Sequence, residues 1–322
     1  MRRKFVPRWR KRRYSAISRQ TRTLVFTDLD GTLLDHDTYS WAAATPALEE
    51  LQRREIPLIF CTSKTDAEVQ ALRRAMGNSH PFIVENGGAI VIPPGFFRPV
   101  PPFRGNSRAL TLVLGRPYNE LLRDLKRIAQ ESHLGIRGFH QMSDAEVARE
   151  TGLSLPDAQR ARQRKTSEPF LFRKGSPGAF GRFRRRARQH GYSVERGGRF
   201  FHFSGGCDKG LALSIVLGFY GLTWRTRVNT IALGDSGNDL SMLRLVDCPI
   251  LIPKPDGRFS REVLEALPNI VQAKRPGPAG WSSSLLRELQ RNSQGTASPP
   301  SARYYLEMTE VGKTGAVSEQ KH

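Results

Sequence analysis

Phe26-Thr27-Asp28-Leu29-Asp30-Gly31-Thr32-Leu33-Leu34 is the stretch on which the reading of this chain turns. The apolar run Leu24-Val25-Phe26 just ahead of it reads as a buried strand. The run ends in two aspartates one residue apart, followed by Gly31-Thr32. Side chains alternate along a strand, so Asp28 and Asp30 start out pointing the same way. The glycine lets the chain turn sharply after them. Two carboxylates held together at a strand's carboxyl end are costly unless a cation or a shared proton compensates them. Metal-assisted phosphoryl transfer makes that demand.

Working outward, strand-like and helix-like segments alternate on both flanks. Leu24–Phe26, Pro57–Cys61, Thr230–Leu233 and Pro249–Ile252 read as strands, and Pro46–Arg54, Asp66–Met76 and Asn238–Leu245 as helices. Pro81–Val84 and Ala89–Ile92 flank Glu85-Asn86-Gly87-Gly88, a hairpin-type turn. This is the rhythm of an α/β, doubly wound, Rossmann-like parallel sheet. The middle differs. Pro93-Pro94-Gly95 and Pro99-Val100-Pro101-Pro102 break the rhythm, and the strand Ala109–Leu114, the helix Tyr118–Gln130 and further strands and charged helices follow. The expected organisation is a basic disordered arm (1–22), a core (23–94 and 205–291), an inserted α+β domain (95–204) and a disordered polar tail (292–322).

Four segments of the core carry groups suited to chemistry. Beside Asp28/Asp30 stands Leu58-Ile59-Phe60-Cys61-Thr62-Ser63-Lys64-Thr65, an apolar strand ending in hydroxyls and a lysine, which suits a phosphate before a helix. Cys207-Asp208-Lys209-Gly210 opens an apolar helix, and Ile231-Ala232-Leu233-Gly234-Asp235-Ser236-Gly237-Asn238-Asp239 is another strand ending in acids and glycines. Each alone has an ordinary reading: Asp239 as a helix cap, Lys209 as a surface residue. Together they gain weight, because adjacent parallel strands bring their carboxyl ends to one edge.

The chain has 322 residues and a formal net charge of +21. Residues 1–22 hold ten Lys/Arg and no acid, and a second cluster runs from Arg182 to Arg188. Such charge attracts phosphates of any kind. Trp9 and Tyr14 interleave the first cluster, so nucleic-acid binding is an accessory option confined to the arm. No apolar run approaches the ~18 residues of a membrane span. Cys61, Cys207 and Cys248 have no metal or redox spacing and suit a reducing, cytoplasmic setting. His36, His133, His140 and His190 show no ligand spacing, and Arg162, Arg164 and Lys165 read as a solvated face. Oligomeric state is not legible.

The four motifs, in this order, resemble those of the haloacid dehalogenase-like phosphatases, over roughly residues 23–290. An inserted α/β cap between the second and third resembles the subgroup acting on sugar phosphates. Thr62-Ser63-Lys64-Thr65, Glu85-Asn86-Gly87-Gly88-Ala89, Ser167-Glu168-Pro169-Phe170, Arg199-Phe200-Phe201-His202-Phe203 and Gly277-Pro278-Ala279-Gly280-Trp281 further resemble the mannosyl-3-phosphoglycerate phosphatases, which dephosphorylate the precursor of mannosylglycerate. The resemblance implies a hydrolase core with a cap and a small-molecule sugar phosphate as substrate. It implies Asp28 as nucleophile and Asp30 as general acid and base. Mg2+ would be held by Asp28, the Asp30 main-chain carbonyl and Asp235, with Asp239 acting through water or holding Lys209. Thr62, Ser63, Lys209 and Asn238 would bind phosphate, and Lys64, Glu168, Arg199 and His202 the rest of the substrate, with Arg173 a further cation able to steer it. A glucosyl-3-phosphoglycerate phosphatase, another sugar phosphatase, a phosphomutase with the same nucleophile and a nucleic-acid-binding protein stay open as alternatives.

Overall fold

A computed structural model describes residues 18–97, 109–197 and 200–293. The first half runs β1 (Ser18–Thr27), α1 (Thr45–Arg53), β2 (Leu58–Phe60), α2 (Asp66–Met76), β3 (Phe82–Val84), β4 (Ala89–Ile92) and β5 (Leu110–Val113). The insertion follows as α3 (Tyr118–Glu131), β6 (Leu134–Gly138), α4 (Asp144–Thr151), α5 (Leu155–Ala161), β7 (Ser167–Gly175), α6 (Ala179–Gln189), β8 (Tyr192–Gly197) and β9 (Phe200–Gly205). The chain then returns through α7 (Lys209–Trp224), β10 (Thr226–Gly234), α8 (Leu240–Leu243), β11 (Cys248–Leu251), α9 (Arg261–Ala266), β12 (Val271–Gln272) and α10 (Gly277–Ser293).

The main sheet has the order β12-β11-β10-β1-β2, and its pairs are parallel. β1 is apolar throughout its inner half because both faces are covered. Leu24 and Phe26 pack on one side with Ala212, Leu213 and Val216 of α7. Val25 packs on the other with Ala47 and Leu51 of α1 and with Trp281 and Leu285 of α10. The Trp281 indole donates to Thr27 Oγ1 at 2.9 Å, tying α10 to the strand that delivers Asp28. α2 starts from a capping box between Thr65 and Glu68 and stops at Gly77 in the left-handed region, which holds the preceding Thr62-Ser63-Lys64 turn in place.

Two expected boundaries move. β1 starts at Ser18, inside the stretch read as a disordered arm, and pairs there with Thr226. The strand expected at Ala109–Leu114 forms as β5 (Leu110–Val113), but instead of opening the insertion it pairs antiparallel with β4 to complete a three-stranded sheet β3-β4-β5. Phe97 is likewise buried in the core. The prolines at 93–94 break a helix-strand rhythm without leaving the core, so the insertion proper starts after Gly115. Residues 1–17 and 294–322, which carry most of the arm and nearly all of the tail, lie outside the described residues.

The insertion is a four-stranded antiparallel sheet, β6-β7-β9-β8. One face packs Phe170 and Phe203 against Leu125 and Ile128 of α3 and Phe183 and Ala187 of α6. The other carries Phe200, which packs with Phe139, Met142 and Val147. Pairing across β7, β9 and β8 puts Pro169, His202 and Glu195 opposite one another, hence on that second face. Glu168 is opposite Phe203, hence on the first.

The insertion is fastened to the core by Glu85. Its carboxylate accepts the backbone N–H groups of Lys165, Thr166 and Ser167 at 2.9, 2.9 and 2.8 Å, and the Ser167 hydroxyl at 2.8 Å. Glu85 and Asn86 both have positive φ (51° and 55°), a conformation non-glycine residues seldom adopt. The expected hairpin turn does join the antiparallel strands β3 and β4, and it takes the form of a single 3-10 turn that aims a carboxylate across the junction.

Candidate active site

The parallel register aligns Thr27 with Leu233 on one side and Phe60 on the other. The residues that follow each strand must therefore emerge together. Asp28, the Thr62 turn and Asp235 do so at one edge, at the point where connections leave β1 in opposite directions, which is where open α/β sheets bind ligands. α7 supplies the fourth part. Asp208 caps it by accepting Leu211 N–H at 2.9 Å, so Lys209 is its first helical residue. Lys209 is fully buried, and its Nζ donates to Asp28 Oδ1 and Asp239 Oδ1 at 2.7 Å each. The other oxygen of Asp239 accepts the N–H groups of Asp235 and Ser236 at 2.9 and 3.1 Å. Asp239 thus clasps both Lys209 and the Asp235 loop.

Carboxylate oxygens of Asp28, Asp235 and Asp239 lie within 4.8 Å of one another. One buried ammonium cannot neutralise three carboxylates. Burial, with the neighbouring Asp239 and Asp235, holds Asp28 well above the usual carboxylate range despite Lys209. Burial and Asp239 push Asp235 up to about 7. Lys209 shows the complementary shift: burial pulls it down, but Asp239 and Asp28 outweigh burial and raise it. An uncompensated set of hard oxygen donors fits a divalent cation such as Mg2+. Gly31, at φ 73°, completes the cradle, because a Cβ there would stand 3.2 Å from Asp235 Oδ2.

Asp30 is more exposed than Asp28, and Lys64 Nζ stands 2.9 Å from its Oδ1 and 3.8 Å from Glu68. Lys64 is thereby a partner of the second aspartate, and its charge is largely spent there. Thr62 is buried; its Oγ1 accepts Lys64 N–H at 3.2 Å and its carbonyl accepts Asn86 N–H at 2.9 Å. The Ser63 carbonyl accepts Arg164 Nη1 at 2.7 Å. Asn238 donates from Nδ2 to Asn86 Oδ1 at 3.2 Å and accepts the Ser236 hydroxyl at 2.6 Å.

The cap residues divide. His202 is buried on the face turned to the core, and its Nδ1 has no hydrogen-bond partner among the described residues. Glu168 departs from expectation. Strand alternation puts it on the opposite face, fully buried, where Tyr118 Oη donates to it at 2.6 Å and His140 N–H at 3.0 Å, with His140 Nδ1 2.7 Å away. Its acceptors are taken up inside the cap, and His140, read as an ordinary residue, is there to hold it. Arg173 is exposed and stands 3.8 Å from Glu150. Arg199 lies outside the described residues.

Three residues near the site escaped the sequence reading. Arg164, taken as a solvated face, is 5% exposed and bridges Ser63 and Ser167 across the junction. Asn86, taken as a turn residue, joins the second and fourth motifs, and its Nδ2 is buried without an acceptor among the described residues. Glu195 follows no motif. It lies on β8, which packs against the Gly237–Asp239 turn. An isolated polar residue in an alternating strand was its only signal.

His202 carries a pH prediction. Burial, then Arg164 and Lys209, lower it from 6.5 to about 3. Below pH 6.5 the unfolded chain takes up a proton there that the native chain refuses, so stability falls as pH drops from about 6.5 toward 3. Between pH 7.5 and 5 this single group costs about 2 kcal/mol. Denaturant midpoints of His202→Gln should therefore decline less over that interval than those of the unaltered protein. Parallel declines would count against the buried, neutral imidazole.

A sequence model of the haloacid dehalogenase-like hydrolases matches residues 25–95. A glucosyl-3-phosphoglycerate/mannosyl-3-phosphoglycerate phosphatase of Methanococcoides burtonii is 39% identical over 271 residues, covering 84% of this chain and 98% of the relative. One of the same name from Persephonella marina is 37% identical over 280 residues, covering 84% and 99%. Among solved structures, a haloacid dehalogenase-like hydrolase from Bacteroides thetaiotaomicron aligns at a TM-score of 0.56 and 19% identity, over 83% of this chain and 100% of its own. The sucrose-phosphatase from Synechocystis sp. PCC6803, solved with sucrose and phosphate, aligns at 0.53 and 14%, over 83% and 98%. At such identities the structures speak for the fold alone. Fold and site together define an α/β hydrolase core with an inserted α+β cap, a phosphoric monoester hydrolase. The chain belongs to the glucosyl-3-phosphoglycerate/mannosyl-3-phosphoglycerate phosphatase family of haloacid dehalogenase-like hydrolases. No helix among the described residues is long and apolar enough to cross a membrane.

Proposed function

We propose that this phosphatase hydrolyses 2-O-mannosyl-3-phosphoglycerate to mannosylglycerate and phosphate, with Mg2+, through an aspartyl-phosphate. The observation that carries the chemistry is Asp28, oriented by Lys209 among carboxylates that crowd a cation-sized space. Asp28 attacks phosphorus and the ester P–O bond breaks. Asp30 gives its proton to the departing glycerate oxygen. Asp30 then takes a proton from water as that water attacks phosphorus, the bond to Asp28 breaks, and phosphate leaves. Lys64 keeps Asp30 within reach of these transfers. Asp28, the Asp30 carbonyl and Asp235 would hold Mg2+, which when bound neutralises charge on the phosphoryl oxygens. Thr62, the Ser63 amide and Lys209 present preorganised donors to the same oxygens. Asn238 acts through its link to Asn86. His202 belongs to the part of the cap we assign to the substrate's organic end, and Arg199, three residues before it, is assigned there from the sequence alone. Glu168 stabilises the cap from within.

The names of the two relatives favour a second reading, in which the glucosyl ester is an equal substrate. Phosphate release with Mg2+ from mannosyl- and glucosyl-3-phosphoglycerate, 3-phosphoglycerate and mannose 6-phosphate tests both. The expected result is turnover of one or both glycosyl compounds far above the other two. Equal, weak turnover of all four would remove the substrate proposal and leave a general phosphatase.

A further inference from the structure

Resting on the glycosyl-phosphoglycerate reading, we propose that Glu195 is the carboxylate that reads the sugar hydroxyls of the substrate. Glu195 and His202 are direct neighbours on the cap face turned to the core. Ser193 and Ser204 lie on the same face, hydroxyl to hydroxyl at 2.8 Å. The strand bearing Glu195 packs on the turn Gly237–Asp239, so this carboxylate overlooks the catalytic edge from the cap side. Its side chain accepts no hydrogen bond among the described residues. Beside it the His202 ring, 8% exposed, is also left without a partner at Nδ1. Room for that ring is made by Gly197, where a Cβ would come within 2.8 Å of Nε2. The His202 ring is buried with unspent hydrogen-bonding capacity, an uncommon arrangement unless a ligand completes it, and the partly exposed, unpartnered Glu195 carboxylate beside it is open to the same ligand.

The chemistry selects the ligand's end. A phosphoryl or glycerate carboxylate would be repelled by Glu195, whereas sugar hydroxyls are donors. A carboxylate's two oxygens can accept from two neighbouring hydroxyls of one ring, and such charge-assisted bonds are the stronger kind. Burial pushes Glu195 up to about 7, with Asp208, Asp239 and Glu262 adding to burial and Lys209 opposing it. That is how a carboxylate partly withdrawn from water, with no donor beside it, behaves. The competing role is a third counter-charge for Lys209. Lys209 already has Asp28 and Asp239 at 2.7 Å, and a counter-charge would act on every substrate alike.

Glu195→Ala and Glu195→Gln decide between these, assayed with Mg2+ on mannosyl- and glucosyl-3-phosphoglycerate and on p-nitrophenyl phosphate. Alanine is expected to lower kcat/KM for the preferred glycosyl substrate about 10- to 100-fold, chiefly through KM. Glutamine, which keeps one acceptor, should fall between, and p-nitrophenyl phosphate turnover should stay within about twofold on the same reasoning. Proportional loss on all substrates, or no loss on any, overturns the proposal. Should the unaltered enzyme hydrolyse p-nitrophenyl phosphate but neither glycosyl compound, the substrate reading fails separately. Glu195 is then judged on hexose 6-phosphates, where a loss confined to the sugar esters upholds it and an indifferent response ends it. Unchanged circular dichroism and melting temperature exclude a folding defect.

Discussion

Asp28→Asn is expected to lower kcat on the order of 10⁴-fold while leaving the protein as stable as before, or more so. The two effects have one cause. Asn keeps the shape of Asp28 and an oxygen to accept the Lys209 bond at 2.7 Å, so packing in this buried position survives. It removes one of three carboxylates whose mutual repulsion, added to burial, lifts Asp28 and Asp235 above their usual range. An amide oxygen is a far weaker nucleophile toward phosphorus, and the covalent route closes. Rapid quench with labelled substrate should show an acid-stable phosphoenzyme for the unaltered protein and none for the variant. In metal-free buffer the variant's melting temperature should equal or exceed the original. Near-normal turnover by Asp28→Asn would move the nucleophile elsewhere, and a folded but phosphoenzyme-forming variant would do the same.

How much of this was legible in the sequence follows from the range of each interaction. The core was readable because its signals are local. An apolar run that alternates between two covered faces, as Leu24-Val25-Phe26 does, ends at Asp28 whatever the rest of the chain contributes. Asp235 and Lys209 were readable for the same reason, as the residues after a strand and at the start of a capped helix. The junction was not. Arg164 looks like any arginine in a charged helical stretch until its guanidinium is found on the Ser63 carbonyl, 101 residues away in sequence. Glu85 looks like a turn residue until residues 165–167 arrive over it. Glu168 was expected at the substrate because it follows a recognisable motif, but the parity of its position in β7, set by pairing with β9, turns it inward. The same parity brings out Glu195, which no motif marks. A one-residue change in register would exchange their faces, and register is a property of the assembled sheet.

Lys209→Met should be damaging in both respects, and the conditions that repair it identify its role. The ammonium is the one cation bonded to Asp28 and Asp239 among the described residues, at 2.7 Å from each in a fully buried position. Replacing it with an apolar chain of similar length fills the space but strands the carboxylates, a change that typically costs 3–5 kcal/mol, so about that much is expected here. Turnover should fall about 10²- to 10³-fold from the loss of a preorganised donor. Stability should return in two ways. A carboxylate whose native pKa is raised, like Asp235 at about 7, weakens the fold as pH rises through that value and ceases to do so below its ordinary 3.8. The melting deficit of Lys209→Met should therefore shrink between pH 7.5 and 5. Millimolar Mg2+ should shrink it too, by binding the native state alone, and a chelator should restore it. Turnover should not return with stability, because neither a proton nor the metal replaces the donor we assign to the phosphoryl group. A variant whose melting deficit ignores both pH and Mg2+ would mean that Lys209 packs the site rather than balances it, and the reading of Asp28, Asp235 and Asp239 as one electrostatic unit would have to be given up.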